Sequence, residues 1–228
     1  MAFGQNRQTE LKEIRVTPPK FTGVMNEVNE SSLTNYLLKN IEYKTDIDEP
    51  WNEGTEVVRF IVTPNGKLNN FKVINSVSKE IDEELIKVLQ STDGMWAPGL
   101  NDKEPIAMEK EVSIIFSVHE PAKTKEYFTA VATKHFIKGS KKLLIDQKPR
   151  KAITAYNKAS KYLPNDKALL YLRSVAKYFS GDKEGARTDL NRMEHLVKTN
   201  KMEHYLKMPT DDFKTLAGYE EFLSFIDE

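Results

Sequence analysis

Apolar residues in the first 120 positions switch between the spacing of helices and the two-residue spacing of strands. Behind Ser31 and Ser32, either of which can cap a helix, they recur at Leu33, Tyr36, Leu37 and Ile41. Behind Ser78 they recur at Ile81, Leu85, Val88 and Leu89. The two stretches predict two short amphipathic helices, and Asp93-Gly94 ends the second.

Three strands are predicted around these helices. Over residues 56–62 the apolar residues Val58, Phe60 and Val62 alternate with Val57, Arg59 and Ile61, which predicts a strand. Residues 71–74 form the returning strand of a hairpin. Asn65 and Gly66 supply its tight turn, since both tolerate a positive φ. In the last strand, alternate residues share one face that should pack inward: Val112, Ile114, Phe116 and Val118. This first domain should close near His119.

Beyond Pro121 the chain is predicted to be helical and to contain an internal repeat. If Pro164 closes a helix-turn-helix unit of about 34 residues, one unit begins near Thr133 and the next near Lys167. Large and small side chains then occupy matching positions. They are Phe136, Ser140, Leu143, Ala152, Tyr156 and Ala159 in the first unit, and Leu170, Ser174, Ala186, Leu190 and Met193 in the second.

This spacing resembles the tetratricopeptide repeat, in which small residues let neighbouring helices approach closely. The departures are Gly139, where leucine is usual, and Lys177, where an aromatic residue is usual. Residues 199–228 are predicted to cap the array, because the apolar face of the last repeat would otherwise remain in water.

Composition narrows the functional classes. The 228 residues include 34 basic and 34 acidic side chains, and this zero net charge argues against a nucleic-acid partner. The first 120 residues hold 13 basic and 20 acidic side chains, and the remainder has the opposite excess. There is no cysteine, the four histidines are scattered, and no nucleophile or phosphate-loop motif occurs. We therefore expect a non-enzymatic protein without a cofactor or a metal.

The first residues predict an exported protein. Residues 1–6 look like the small-residue end of a secretory signal that has been trimmed and given a new Met. No apolar run reaches the roughly 20 residues that span a bilayer, so no transmembrane segment is predicted. The expected location is the periplasm or the cell envelope.

Residues 18–118 resemble the TonB C-terminal domain family. The residues that carry the resemblance are Tyr36-Leu37-Leu38, Asn40-Ile41-Glu42-Tyr43, Glu53-Gly54-Thr55, Val58-Arg59-Phe60-Ile61-Val62, Asn65-Gly66-Lys67, Phe71-Lys72-Val73, Ile81-Asp82-Glu83-Glu84-Leu85 and Trp96-Ala97-Pro98-Gly99. The family implies a small periplasmic sheet with flanking helices that adds the TonB box peptide of an outer-membrane transporter as an extra strand. No membrane anchor or proline-rich spacer stands before this stretch, so peptide binding is expected and energy transduction is left open.

These features predict an α+β domain, a small sheet with flanking helices, followed by an all-α array of tetratricopeptide type. The predicted boundaries are a flexible tail over residues 1–17, the TonB-like domain over residues 18–119, and the helical domain with its capping helix over residues 120–228. Trp51 and Trp96 are predicted to fill the core rather than to recognise a partner.

Two surfaces are predicted to bind a protein or peptide partner. The first is an exposed sheet edge at the last strand, where Glu111, Ser113, Ile115 and Ser117 would meet or flank a guest strand. The second is a repeat groove with a cationic wall of Lys134, Lys138 and Lys141 and an aromatic wall that includes Tyr171 and Tyr178, suited to an acidic peptide. In the alternative, which so short an array favours, the C-terminal helix covers the aromatic wall and the lysines are simply solvated.

The predicted function is a non-enzymatic interaction module of the cell envelope. It would bind an extended peptide of a partner, such as an outer-membrane transporter, by β-augmentation. The alternative is an exported tetratricopeptide scaffold or adaptor without energy transduction.

Overall fold

The computed structural model describes residues 15–23, 30–42, 53–209 and 211–227. The chain divides into two compact units. One combines residues 1–42, 58–72 and 83–112, and the other combines residues 43–57, 73–82 and 113–228. Residues 1–14, with the signal-like start, and Trp51 lie outside the described ranges.

The first half of the chain contains short strands and two helices. Its elements are β1 (Val16–Thr17), β2 (Lys20–Phe21), α1 (Glu30–Asn40), β3 (Gly54–Val62), β4 (Leu68–Asn75), α2 (Lys79–Gln90), β5 (Trp96–Ala97), β6 (Gly99–Asn101), β7 (Glu104–Ile106) and β8 (Met108–Phe116). The main sheet has the order β4-β3-β8, and smaller sheets join β1-β6-β7 and β2-β5. Both predicted helices and all three predicted strands are confirmed.

The short strands were not predicted. Val16 and Thr17, the end of the predicted tail, pair with Asn101 and Leu100 in antiparallel register. Strands of two or three residues are too short to show the two-residue alternation by which longer strands are recognised.

Local signals place the hairpin and the second helix as predicted. Gly66 has a φ of 74°, and its N–H donates to the carbonyl oxygen of Thr63 at 3.0 Å. A Cβ atom at Gly66 would lie 2.5 Å from the carbonyl oxygen of Trp96, so only glycine fits this turn. At the start of α2, the Ile81 N–H donates to the Ser78 hydroxyl at 3.3 Å, which confirms the cap.

Trp96 is a core residue, as predicted. Its side chain is buried and packs against the rings of Phe60 and Phe21, with centroids 5.4 and 5.5 Å away. The indole N–H donates to the hydroxyl of Thr92 at 2.9 Å, so its polar group is satisfied in the interior.

The second half is helical, and the tetratricopeptide assignment stays a prediction. Its elements are α3 (Pro121–Ser140), a π-helical turn (Lys141–Ile145), α4 (Pro149–Ser160), α5 (Lys167–Phe179), α6 (Lys183–Lys198), a 3-10 helix (Asp211–Thr215) and α7 (Tyr219–Asp227). Asp166 caps α5 and Asp182 caps α6 through their carboxylates. Of the helices that the structure describes, none is both long and apolar enough to cross a membrane.

Both departures from the repeat pattern have a structural reason. A Cβ atom at Gly139 would lie 2.6 Å from the ring of Tyr156, so the buried tyrosine takes the space of a larger residue. Lys177 places its ammonium group 2.8 Å from the carboxylate of Asp189 in α6, where it joins Arg173 in a shared ion pair.

Within the second unit, the start of β3 is hydrogen-bonded to the end of α4. The Thr55 N–H donates to the carbonyl oxygen of Lys161 at 2.8 Å, and the Thr55 hydroxyl donates to that of Tyr162 at 2.9 Å. The Ser160 hydroxyl donates to the side-chain oxygen of Asn75 at 3.2 Å. The domain boundary at residues 119 and 120 stays a prediction.

Candidate interaction surfaces

Strand β8 forms one end of the main sheet, next to β3. Val112, Ile114 and Phe116 are buried, which confirms that they face inward. Ser113 is exposed and Ile115 is 55% exposed, so these two side chains stand on the open face. Val118 was predicted to face inward and is 57% exposed, because the strand ends at Phe116 and the alternation stops there.

The side chain of Glu111 is engaged within its own sheet. Its side chain is only 5% exposed, and one carboxylate oxygen lies 3.3 Å from the guanidinium of Arg59 in β3. A nearly buried carboxylate needs such a partner because its desolvation is otherwise unfavourable. The ion pair therefore holds Glu111 against its own sheet.

Ser117 also lies in a network within the chain. The carboxylate of Glu53 accepts from the Val118 N–H at 3.1 Å and lies 3.4 Å from the Ser117 hydroxyl. Thr124 of α3 contacts the same hydroxyl at 3.2 Å. Of the four residues predicted at this edge, the structure leaves Ser113 and Ile115 open to solvent.

The three lysines of the predicted groove are all exposed, and their role as one cationic wall stays a prediction. Lys141, at the start of the π-helical turn, lines a cleft. Burial, with the charges of Lys158, Lys134 and Lys138, lowers the pKa of His135, so Lys134 and Lys138 act electrostatically on that histidine. Neither of them lines the cleft.

The aromatic wall is covered, as the alternative interpretation expects. The hydroxyls of Tyr171 and Tyr219 are 2.6 Å apart, and the ring of Tyr178 lies 5.4 Å from that of Phe222 and 5.1 Å from that of Phe225. Tyr171 and Tyr178 are thus only partly exposed in this structure, and their role as a peptide-binding wall stays a prediction. Burial raises the pKa of Tyr171, consistent with its place under α7.

A cleft that the sequence did not predict lies between α3 with its π-helical turn and residues 205–209. Its volume is about 740 Å³, and its exposed apolar side chains include Ile137, Ile145 and Met208. The sequence does contain a signal for this cleft, because Ile137 and Ile145 are large apolar residues that fall outside the apolar positions of the predicted repeat. However, residues 205–209 have no helical or strand periodicity that would place them opposite these two residues.

Within the described ranges, no group of three or more His, Asp or Glu side chains could hold a metal ion. Among the described residues, β8 stands at one end of the main sheet and an apolar cleft lies beside α3, and surfaces of these two kinds can bind other polypeptides. They are typical of the class of protein-interaction modules.

Comparison with known proteins supports this class. Residues 41–118 match the family model of the Gram-negative bacterial TonB protein C-terminal, a non-enzymatic protein-interaction family. The match includes β3 to β8 and α2, and it ends before α3. It supports the TonB-like part of the prediction over these residues. Neither the curated proteins nor the solved structures contain a match.

Proposed function

We propose that this chain is a non-enzymatic interaction module of the cell envelope that binds an extended segment of a partner protein on β8. The open position of β8 at the end of the β4-β3-β8 sheet carries the proposal. An end strand presents unpaired backbone N–H and C=O groups, and another chain can pair with them.

The central part of β8 suits this role best. Ser113 and Ile115 leave the strand unobstructed on its exposed face, whereas Val112, Ile114 and Phe116 fix it in the core. An anchored strand loses little additional freedom on binding, so more of the gain from backbone hydrogen bonds remains as affinity. An exposed Ile115 side chain adds apolar contact for one guest residue.

The family match makes an outer-membrane transporter the first partner to test. Such a transporter would contribute an extended peptide to the edge. The alternative function, an exported scaffold whose helical half makes the main contact, is favoured by the apolar cleft beside α3.

The test is a titration of the labelled protein with extended peptides from the N-terminal regions of outer-membrane transporters. Ser113→Pro and Ile115→Pro each remove a backbone donor and add a ring, so at least one of them should abolish binding. Ser113→Ala keeps the backbone donor and should bind within about twofold of the parent. Ile115→Ala also keeps the donor but loses the apolar contact of its side chain, so it should bind at most about fivefold more weakly.

Lys72→Pro in β4, at the opposite end of the sheet, is the matched control and should leave binding intact. Circular dichroism checks that each variant remains folded. If both β8 proline variants are folded and bind as the parent does, or if Lys72→Pro alone abolishes binding, β8 is not the binding edge.

A further inference from the structure

We infer that the cleft between α3 and residues 205–209 binds an acidic segment of a partner protein that inserts a large apolar side chain. This site shares no residue with β8. Binding there would be a second interaction, in addition to the strand addition proposed above. Its floor, its second wall and its charge each support the assignment.

The floor of the cleft is apolar and accessible. Ile137 is 62% exposed and Ile145 is 73% exposed, and Leu144 lines the cleft beside them. Ile145 and Leu144 belong to the π-helical turn Lys141–Ile145, which widens the helix at this point. Adjacent exposed aliphatic side chains are unfavourable in water, so covering them with an apolar side chain of a ligand is favourable.

The second wall is held in place by a buried carboxylate. Asp166 is fully buried and accepts from the N–H groups of Tyr205 and Leu206 at 2.8 and 3.0 Å, while it also caps α5. The Lys167 N–H donates to the carbonyl oxygen of Glu203 at 2.9 Å. These bonds hold the segment that carries Met208, so the cleft exists before a ligand arrives.

Both walls carry a cation at the cleft. Lys141 lines it from the side of α3 and Lys207 from the opposite segment, and the described residues that line the cleft include no Asp or Glu. The Asp146 carboxylate, close to Lys141 in sequence, is paired with Lys142, which together with Lys148 and Lys141 lowers the pKa of Asp146. An apolar floor between two lysines favours a ligand that places carboxylates beside an apolar side chain.

The probe is the synthetic peptide acetyl-EDLFDE-amide, compared with its basic counterpart acetyl-KKLFKK-amide. Methyl-labelled full-length protein is titrated with each and followed by NMR. The acidic peptide should shift the methyl signals of Ile137, Leu144, Ile145 and Met208 in a saturable manner. The basic peptide should bind at least about tenfold more weakly.

Two variants of the cleft test the roles of charge and apolar surface separately. Lys141→Glu combined with Lys207→Glu should lower the affinity for the acidic peptide roughly tenfold and raise the affinity for the basic one. Ile145→Ser should weaken the binding of both peptides, because it removes apolar surface from the floor of the cleft. Since this side chain is exposed in the free protein, the substitution should leave the fold intact.

The matched controls change residues that do not line the cleft, on α3 itself and on α6. Lys134→Glu with Lys138→Glu makes the same charge change on α3, and Val197→Ser removes an equally exposed apolar side chain from α6. Val197→Ser should bind the acidic peptide within about twofold of the parent, and the Lys134/Lys138 variant should weaken it clearly less than the Lys141/Lys207 variant does at about 0.15 M salt. Ile115→Pro should also retain this binding, so the proposal for the cleft and the proposal for β8 are tested independently of each other.

Four results would overturn the inference. They are equal binding of the two peptides, methyl shifts confined to residues outside the cleft, saturation of the cleft by dodecanoate without binding of the peptide, and concentration-dependent dimerisation abolished by Ile145→Ser. The third result would assign the cleft to a fatty acyl chain, and the fourth to a second copy of this chain.

Discussion

The backbone N–H of Thr55 donates a 2.8 Å hydrogen bond to the carbonyl oxygen of Lys161, which joins β3 to the end of α4. The approach depends on Gly54, where a Cβ atom would lie 2.7 Å from the same oxygen and the φ is 156°. We expect Gly54→Ala to lower the free energy of unfolding by about 1–3 kcal/mol, measured by urea denaturation.

Gly94 provides the control for this substitution. Its φ is 80°, but a Cβ atom there would meet nothing within 4 Å. Gly94→Ala should therefore show only the strain of a left-handed backbone, about 1 kcal/mol. A loss at Gly94 as large as that at Gly54 would contradict the role of the contact with Lys161.

Stability should decrease between about pH 4.5 and pH 8 because of Glu56. Burial, with a smaller effect of Asp82, raises the pKa of this carboxyl from 4.5 to about 8, although the Val77 N–H donates to it at 2.7 Å. The folded state retains a proton that the unfolded chain releases. Its contribution is thus full below the unfolded pKa and is lost as pH rises through the folded pKa.

The substitution that tests this effect is Glu56→Gln, which keeps the shape and removes the titration. The parent should lose up to about 5 kcal/mol across this window, and the variant should have a flatter profile. Glu104→Gln, at an exposed position, should leave the profile of the parent unchanged. Parallel profiles of the parent and Glu56→Gln would exclude Glu56 as the cause.

Asp189→Asn should destabilise the pairing of α5 with α6. Arg173 binds this buried carboxylate through two nitrogens at 2.9 and 2.7 Å, and Lys177 binds it at 2.8 Å. The neutral amide leaves two largely buried cations without a counter-charge, so we expect a loss of about 3–5 kcal/mol in urea denaturation. Glu194→Gln, which removes an exposed ion pair with Lys198, should cause no measurable change.

Phe222→Ala should uncover the aromatic wall of α5. The ring is fully buried and lies 6.0 Å from Tyr171 and 5.4 Å from Tyr178 between centroids. We expect a loss of about 3–5 kcal/mol and faster nitration of both tyrosines by tetranitromethane. Ser224→Ala, at an exposed position on α7, should alter neither. Unchanged nitration in a destabilised Phe222→Ala variant would show that α7 does not shield the wall.

Local patterns were sufficient for the longer elements. The recurrence from Ile81 to Leu89 predicted α2, and the alternation in residues 112–116 predicted the faces of β8. Both succeed because helical or strand geometry repeats the environment of the core at a regular spacing along the chain. Gly66 was informative for a similar reason, since its turn requires a conformation that few residues adopt.

The order and type of the main elements, and which of their faces are buried, therefore follow from residue patterns along the chain. Tertiary structure alone decided what is available to a partner: Ser117 beside Glu53, Tyr178 under Phe222, and Leu206 anchored by Asp166. In each case the two residues are about 40 to 64 positions apart. Periodicity reports that a side chain meets the interior or the surface, but contacts at that separation depend on how whole elements pack.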